Sequence, residues 1–131
     1  LTARHQRDNV YSVALEHFDW EVGDVFVLHL QGPITLGQAT ERFRNLILQA
    51  LDNGKMNILL NMAEVFYIDS SGLGELVAAY TTAKRRGGTL KLMKLTQRVQ
   101  DVVQLTKVYR VFEVYNDEDT AVKSFTASAS S

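Results

Sequence analysis

The chain of 131 residues predicts one domain of α/β class (α+β-like), a mixed sheet of about five strands with about four helices packed on it. Three observations carry this expectation. Apolar runs of strand length alternate with stretches whose apolar residues recur every three or four positions. The first two strand-like runs are close enough in sequence to pair as an antiparallel hairpin. The later ones are separated by helical stretches, and a strand-helix-strand crossover sets its strands parallel and right-handed.

The polar, charged residues 1–9 are expected to be unstructured, with the domain over 10–125 and a small polar tail over 126–131. Residues 10–18 read as a first strand, Val10, Ser12, Ala14 and Glu16 alternating with Tyr11, Val13, Leu15 and His17. Residues 20–24 read as a turn cornered at Gly23-Asp24, and 25–30 as a second strand of branched and aromatic residues. Gly32-Pro33 ends that strand, because proline donates nothing to a ladder.

Thr35 is expected to cap the next helix, whose apolar stripe is Leu36, Ala39, Phe43, Leu46, Ile47, Ala50 and Leu51. Asn53-Gly54 closes it. Residues 55–62 are apolar with little alternation, as expected of a central strand covered on both faces. A second stripe follows in Leu73, Leu76, Val77, Tyr80 and Ala83, stopped by Gly87-Gly88, and residues 90–93 form the next strand. Thr96 caps a short helix with Val99, Val102, Val103 and Leu105 inward, and residues 111–115 are the last strand. Asp117-Glu118-Asp119 opens a terminal helix that buries Ala121, Val122 and Phe125. Acidic residues in a first turn are favourable by roughly 0.3–1 kcal/mol each, which accounts for the run without a metal.

Composition narrows the chemistry. There is no cysteine, hence no disulfide, thiolate zinc site or cysteine nucleophile. The 14 basic and 15 acidic residues nearly cancel, so nothing in the charge points to nucleic acid or an anionic membrane. No apolar run approaches the roughly 20 residues a membrane helix needs. His5, His17 and His29 lie twelve residues apart, without a metal-ligand spacing. No phosphate-cradling Gly-x-x-x-x-Gly-Lys-Ser/Thr loop is present either.

Function concentrates in Asp69-Ser70-Ser71-Gly72-Leu73-Gly74, on the turn from the central strand into the second helix. In open sheets of this kind functional groups gather at the carboxyl ends of the strands. A helix start also leaves backbone N–H groups without partners and a partial positive charge, which favours a phosphate. Ser70 is therefore the expected centre of function, as a phosphorylation site, with Ser71 the second candidate. The competing structural reading makes both serines caps. Gly72 and Gly74 each cost a helix about 1 kcal/mol relative to alanine, which suggests that another molecule approaches the backbone here. A hydrolase elbow would need glycine two residues before the serine, where Ile68 or Asp69 stands.

Residues 58–125 resemble the STAS domain (sulphate transporter and anti-sigma factor antagonist), in its small stand-alone bacterial antagonist branch. The likeness rests on Tyr67-Ile68-Asp69-Ser70-Ser71-Gly72-Leu73-Gly74, on Gly87-Gly88 before the next strand, and on Val111-Phe112-Glu113 with the acidic helix start, and extends more weakly over residues 25–51. It implies a cytoplasmic, non-enzymatic regulator that binds an anti-sigma factor with serine kinase activity. The kinase holds the ATP, so this chain needs no cofactor; phosphorylation of Ser70 ends the complex, and a serine phosphatase reverses it. The partner-binding residues implied are Thr35, Asp69, Ser70, Ser71, Gly72, Leu73, Gly74 and Glu75. Antagonists of this family commonly carry Gly-Glu-Leu-Asp after the second strand, whereas this chain has Gly32-Pro33-Ile34-Thr35, with no carboxylate. The departure bears on which kinase is recognised, and fits equally an accessory STAS subunit of a transport or signalling assembly with no phosphorylation cycle.

Overall fold

The computed structural model describes residues 14–130. Its five-stranded sheet runs in chain order through β1 (Glu16–Val22), β2 (Val25–Gln31), β3 (Asn57–Glu64), β4 (Thr89–Met93) and β5 (Val114–Tyr115). β1 and β2 pair antiparallel, and every later pair is parallel. The helices are α1 (Gln38–Asp52), α2 (Ser70–Arg85), α3 (Gln97–Leu105) and α4 (Glu118–Ser130), with a 3-10 turn at Val108–Arg110.

Strand alternation divides the core. Leu28, Leu30, Ile58, Leu60, Leu90 and Leu92 pack with Phe43, Ile47 and Leu51 of α1 and Leu73, Leu76 and Ala83 of α2. Val25, Val27, Leu59 and Met93 point to the opposite face, where Ala121 and Phe125 of α4 cover them. Trp20 lies at the margin of that second cluster, its indole N–H donating to Glu118 at 3.2 Å. Lys91 is only 1 % exposed between the rings of Tyr115 and Phe125, its ammonium 3.0 Å from Ser124 Oγ and 3.3 Å from Glu113.

Several boundaries differ from the sequence expectation. The first strand begins at Glu16 and takes in Trp20, Glu21 and Val22, so the turn shrinks to Gly23-Asp24. Its register is set by that two-residue turn, which pairs Val22 with Val25, while charged residues on an edge strand blur the alternation. The part of the expected strand before Ala14, like the polar N-terminal segment, lies outside the described residues. Thr35 does not cap α1. The helix starts after Gly37, where the Thr40 hydroxyl accepts the Gly37 amide at 3.2 Å and donates to its carbonyl at 3.0 Å. Leu36 consequently precedes the helix and is 77 % exposed instead of joining its buried stripe. Leu105 is likewise exposed, at the end of α3. Thr96 does cap that helix, accepting from the Val99 amide. β5 is limited to two residues because the chain before it turns through the 3-10 segment, and Phe112, between the two, still reaches the core. α4 continues into the small polar tail, where no glycine or proline interrupts it.

Candidate functional site

Two loops at the carboxyl ends of β2 and β3 build the site, and backbone pairing fixes one against the other. Ile34 and Ile68 form an isolated parallel bridge; the Ile34 amide donates to Tyr67 O at 3.1 Å and the Asp69 amide to Ile34 O at 3.4 Å. Asp69 then clasps both loops with one carboxylate. Its Oδ1 accepts the Gly72 amide at 2.8 Å, which makes it the N-cap of α2, and its Oδ2 accepts the Leu36 amide at 2.9 Å. The Leu36 amide, and after it those of Gly72 and Ser71, hold the carboxyl below the usual aspartate range, against the opposing effect of partial burial.

With Asp69 as the cap, neither serine has that duty. Ser70 is the first residue of α2, exposed, and its hydroxyl makes no hydrogen bond among the described residues. Ser71 is half-buried. An accessible, unengaged alcohol thus stands where the first-turn N–H groups and the helix dipole favour a phosphate.

The remaining expected site residues separate. Leu73 is buried in the core and Gly72 is buried against Ile34. A Cβ at Gly72 would lie 1.9 Å from Ile34 O, and the need for glycine there comes from the chain's own loop, not from a second molecule. Gly74 is different. It is exposed, one turn below Ser70, and a Cβ there would meet nothing within 4 Å. Glu75 is held in a two-pronged ion pair by Arg44 of α1, with Nε donating to Oε1 at 3.2 Å and Nη2 to Oε2. Thr35 lies in the loop beside Asp69, its carbonyl accepting the Thr40 amide.

Tyr67 entered the sequence reading only as part of the family string and Phe66 not as a site residue, yet they are 41 % and 51 % exposed immediately before the clasp. Two adjacent aromatics with neither strand nor helix period were the available signal. Arg98, at the start of α3, lies over the Tyr67 ring at 5.7 Å. His29 proves structural: Nε2 lies 2.8 Å from Glu64, and the ring stacks on Phe18 at 4.4 Å. Among the described residues no group of three or more His, Cys, Asp and Glu could hold a metal, and no helix is long and apolar enough to cross a membrane.

Sheet order, helical cover and an outward-facing hydroxyl turn after the central strand define a small α/β domain of mixed sheet. The chain belongs to the STAS domain family, whose characteristic pattern matches residues 20–121. It is 24 % identical over 105 residues to a Bordetella bronchiseptica protein named as an anti-sigma factor antagonist, covering 80 % of this chain and 90 % of that one. It is 28 % identical over 87 residues to the anti-sigma-B factor antagonist of Bacillus subtilis, covering 66 % of this chain and 78 % of that one. Among solved structures, a Thermotoga maritima protein named as an anti-sigma factor antagonist superposes with a TM-score of 0.76 at 24 % identity, over 82 % of this chain and 92 % of that one. That structural likeness speaks to the fold.

Proposed function

We propose that this chain is an anti-sigma factor antagonist, a cytoplasmic regulator that acts by binding, not an enzyme. Its partner in this reading is an anti-sigma factor with serine kinase activity, and phosphorylation of Ser70 switches the complex off until a serine phosphatase restores it. The observation that carries the reading is the division of labour at the start of α2: Asp69 caps the helix, which leaves the Ser70 hydroxyl exposed and unbonded. The antagonist relatives make an anti-sigma factor the natural partner class.

Phosphorylation adds about −1.5 to −2 charges. Within the chain this is mild, because the helix start offsets part of the charge and the Asp69 carboxylate is already bonded to backbone amides. The cost falls on the complex. A partner carboxylate about 4 Å from the phosphate would oppose it by about 4 kcal/mol per charge pair at an effective dielectric of 20, enough to weaken binding roughly a thousandfold.

The test is to incubate the protein with the serine-kinase anti-sigma factor of its own cell and ATP, then map the phosphate by mass spectrometry. Label on Ser70, abolished in Ser70→Ala while binding persists and weakened binding in Ser70→Asp, supports the switch. Label confined to other residues removes Ser70 from its role.

A further inference from the structure

Leu36, Phe66 and Tyr67 are large apolar side chains left 77 %, 51 % and 41 % exposed, in the same two loops that the Ile34–Ile68 bridge and the Asp69 clasp hold together beside Ser70. They follow the carboxyl ends of adjacent strands, Leu36 after β2 and the aromatics after β3, and Arg98 continues the row after β4 by lying over Tyr67. Exposing such residues costs solubility, and a fold this well packed has no internal need for them there. Leu36 could have been polar without loss to α1, which begins two residues later.

Resting on the function proposed above, we infer that these residues form an apolar collar around Ser70 that the kinase-type anti-sigma factor covers when it docks, and that the partner presents aliphatic or aromatic side chains to it instead of a cation. The size of the patch argues for this occupant. The three side chains expose roughly 300 Å² together, well short of the apolar area an obligate dimer of this chain would bury but suited to the dry centre of a transient interface of about 800 Å² per partner. The surround is polar, as an interface rim is: Thr35, Ser70, Ser71 and Arg98. Position argues for it as well. A kinase that delivers a phosphoryl group to Ser70 Oγ must cover the ground next to that oxygen, and Leu36 is one hydrogen bond away through Asp69. The one carboxylate at the centre of the site is spent on backbone amides, so a cationic partner surface would find little to pair with there.

The experiment measures Kd for the anti-sigma factor by titration calorimetry, from 50 to 500 mM salt, with Leu36→Ser, Phe66→Ser and, as a distant control, Leu105→Ser on α3. Each collar variant should weaken binding about tenfold or more, as expected for withdrawing one buried apolar side chain, and the control should not. The wild-type Kd should move less than about threefold over the salt range, because apolar contact is not screened. At saturating kinase, Leu36→Ser should still be labelled on Ser70, which separates the collar from the phosphorylation site. Unchanged affinity in both collar variants, or a steep loss of affinity with salt, overturns the collar while leaving the switch standing. A wild-type chain that neither binds nor is labelled overturns both. Sedimentation showing a dimer that Leu36→Ser dissolves would assign the collar to a second copy and overturn the choice of partner.

Discussion

Replacing Gly74 by alanine should make the protein more stable and a poorer binding partner. Glycine inside a helix costs about 0.8–1.0 kcal/mol relative to alanine, chiefly in backbone entropy. At Gly74 nothing offsets that cost within the chain: a Cβ there meets no atom within 4 Å, and the residue is exposed in the second turn of α2. Gly74→Ala should therefore raise stability by about 1 kcal/mol and Tm by about 4 °C. Gly72→Ala supplies the opposite sign two residues away. Its Cβ would stand 1.9 Å from Ile34 O, so either the loop or the start of α2 must move, and a loss of about 3 kcal/mol is expected. Urea unfolding followed by far-ultraviolet dichroism measures both, and calorimetry against the anti-sigma factor measures the binding side. If Gly74 is bare because a partner packs on the backbone one turn below Ser70, the stabilised variant binds at least several-fold more weakly. A Gly74→Ala chain that is no more stable than wild type refutes the structural argument. One that is more stable and binds unchanged refutes the functional one.

Further outcomes follow from the clasp and from the buried lysine. Asp69→Ala should lose about 2 kcal/mol at neutral pH, one helix cap and the Leu36 amide's acceptor together, read as a shift in the urea midpoint. Because the Asp69 carboxyl is held below its ordinary 3.8, it binds fewer protons folded than unfolded. Its contribution is then complete above that value and disappears as pH falls through the depressed one, so wild type and Asp69→Ala should converge in acid titrations monitored by dichroism. Lys91→Met should stay within about 1 kcal/mol of wild type, since a buried ion pair replaced by an apolar chain of similar volume is often neutral, whereas Lys91→Ala should cost about 2–4 kcal/mol through the cavity under α4. Denaturant curves of the two variants distinguish packing from charge.

The elements legible in the sequence were those whose cues are local. The stripes of α1 and α2, the Thr96 cap and the Gly23-Asp24 corner all lie within a few residues of what they control. The misplacements came from contacts that no short window contains. Leu36 sits three residues before Ala39 and so continues the apolar stripe on paper, but its amide is claimed by Asp69, 33 positions away, and α1 starts only after Gly37. Gly72 read as a vacancy for a visitor because the Ile34 carbonyl that fills the space belongs to a distant loop. At the site, the Asp-Ser-Ser-Gly string marked the turn. Which residue caps the helix and which is left free followed from Oδ1 of Asp69 taking the Gly72 amide, while its Oδ2 reaches across to the other loop.

That inward use of Asp69 has an electrostatic consequence. The clasp does not discharge Asp69: the amides that hold its pKa down keep the carboxylate ionised at neutral pH, so a charge attached to Ser70 would stand beside an existing negative charge that the helix start partly offsets. Coulomb contributions add, so the new charge would deepen a potential that Asp69 has already made negative. The clasp that shapes the loops would thereby also fix the background against which that charge is felt.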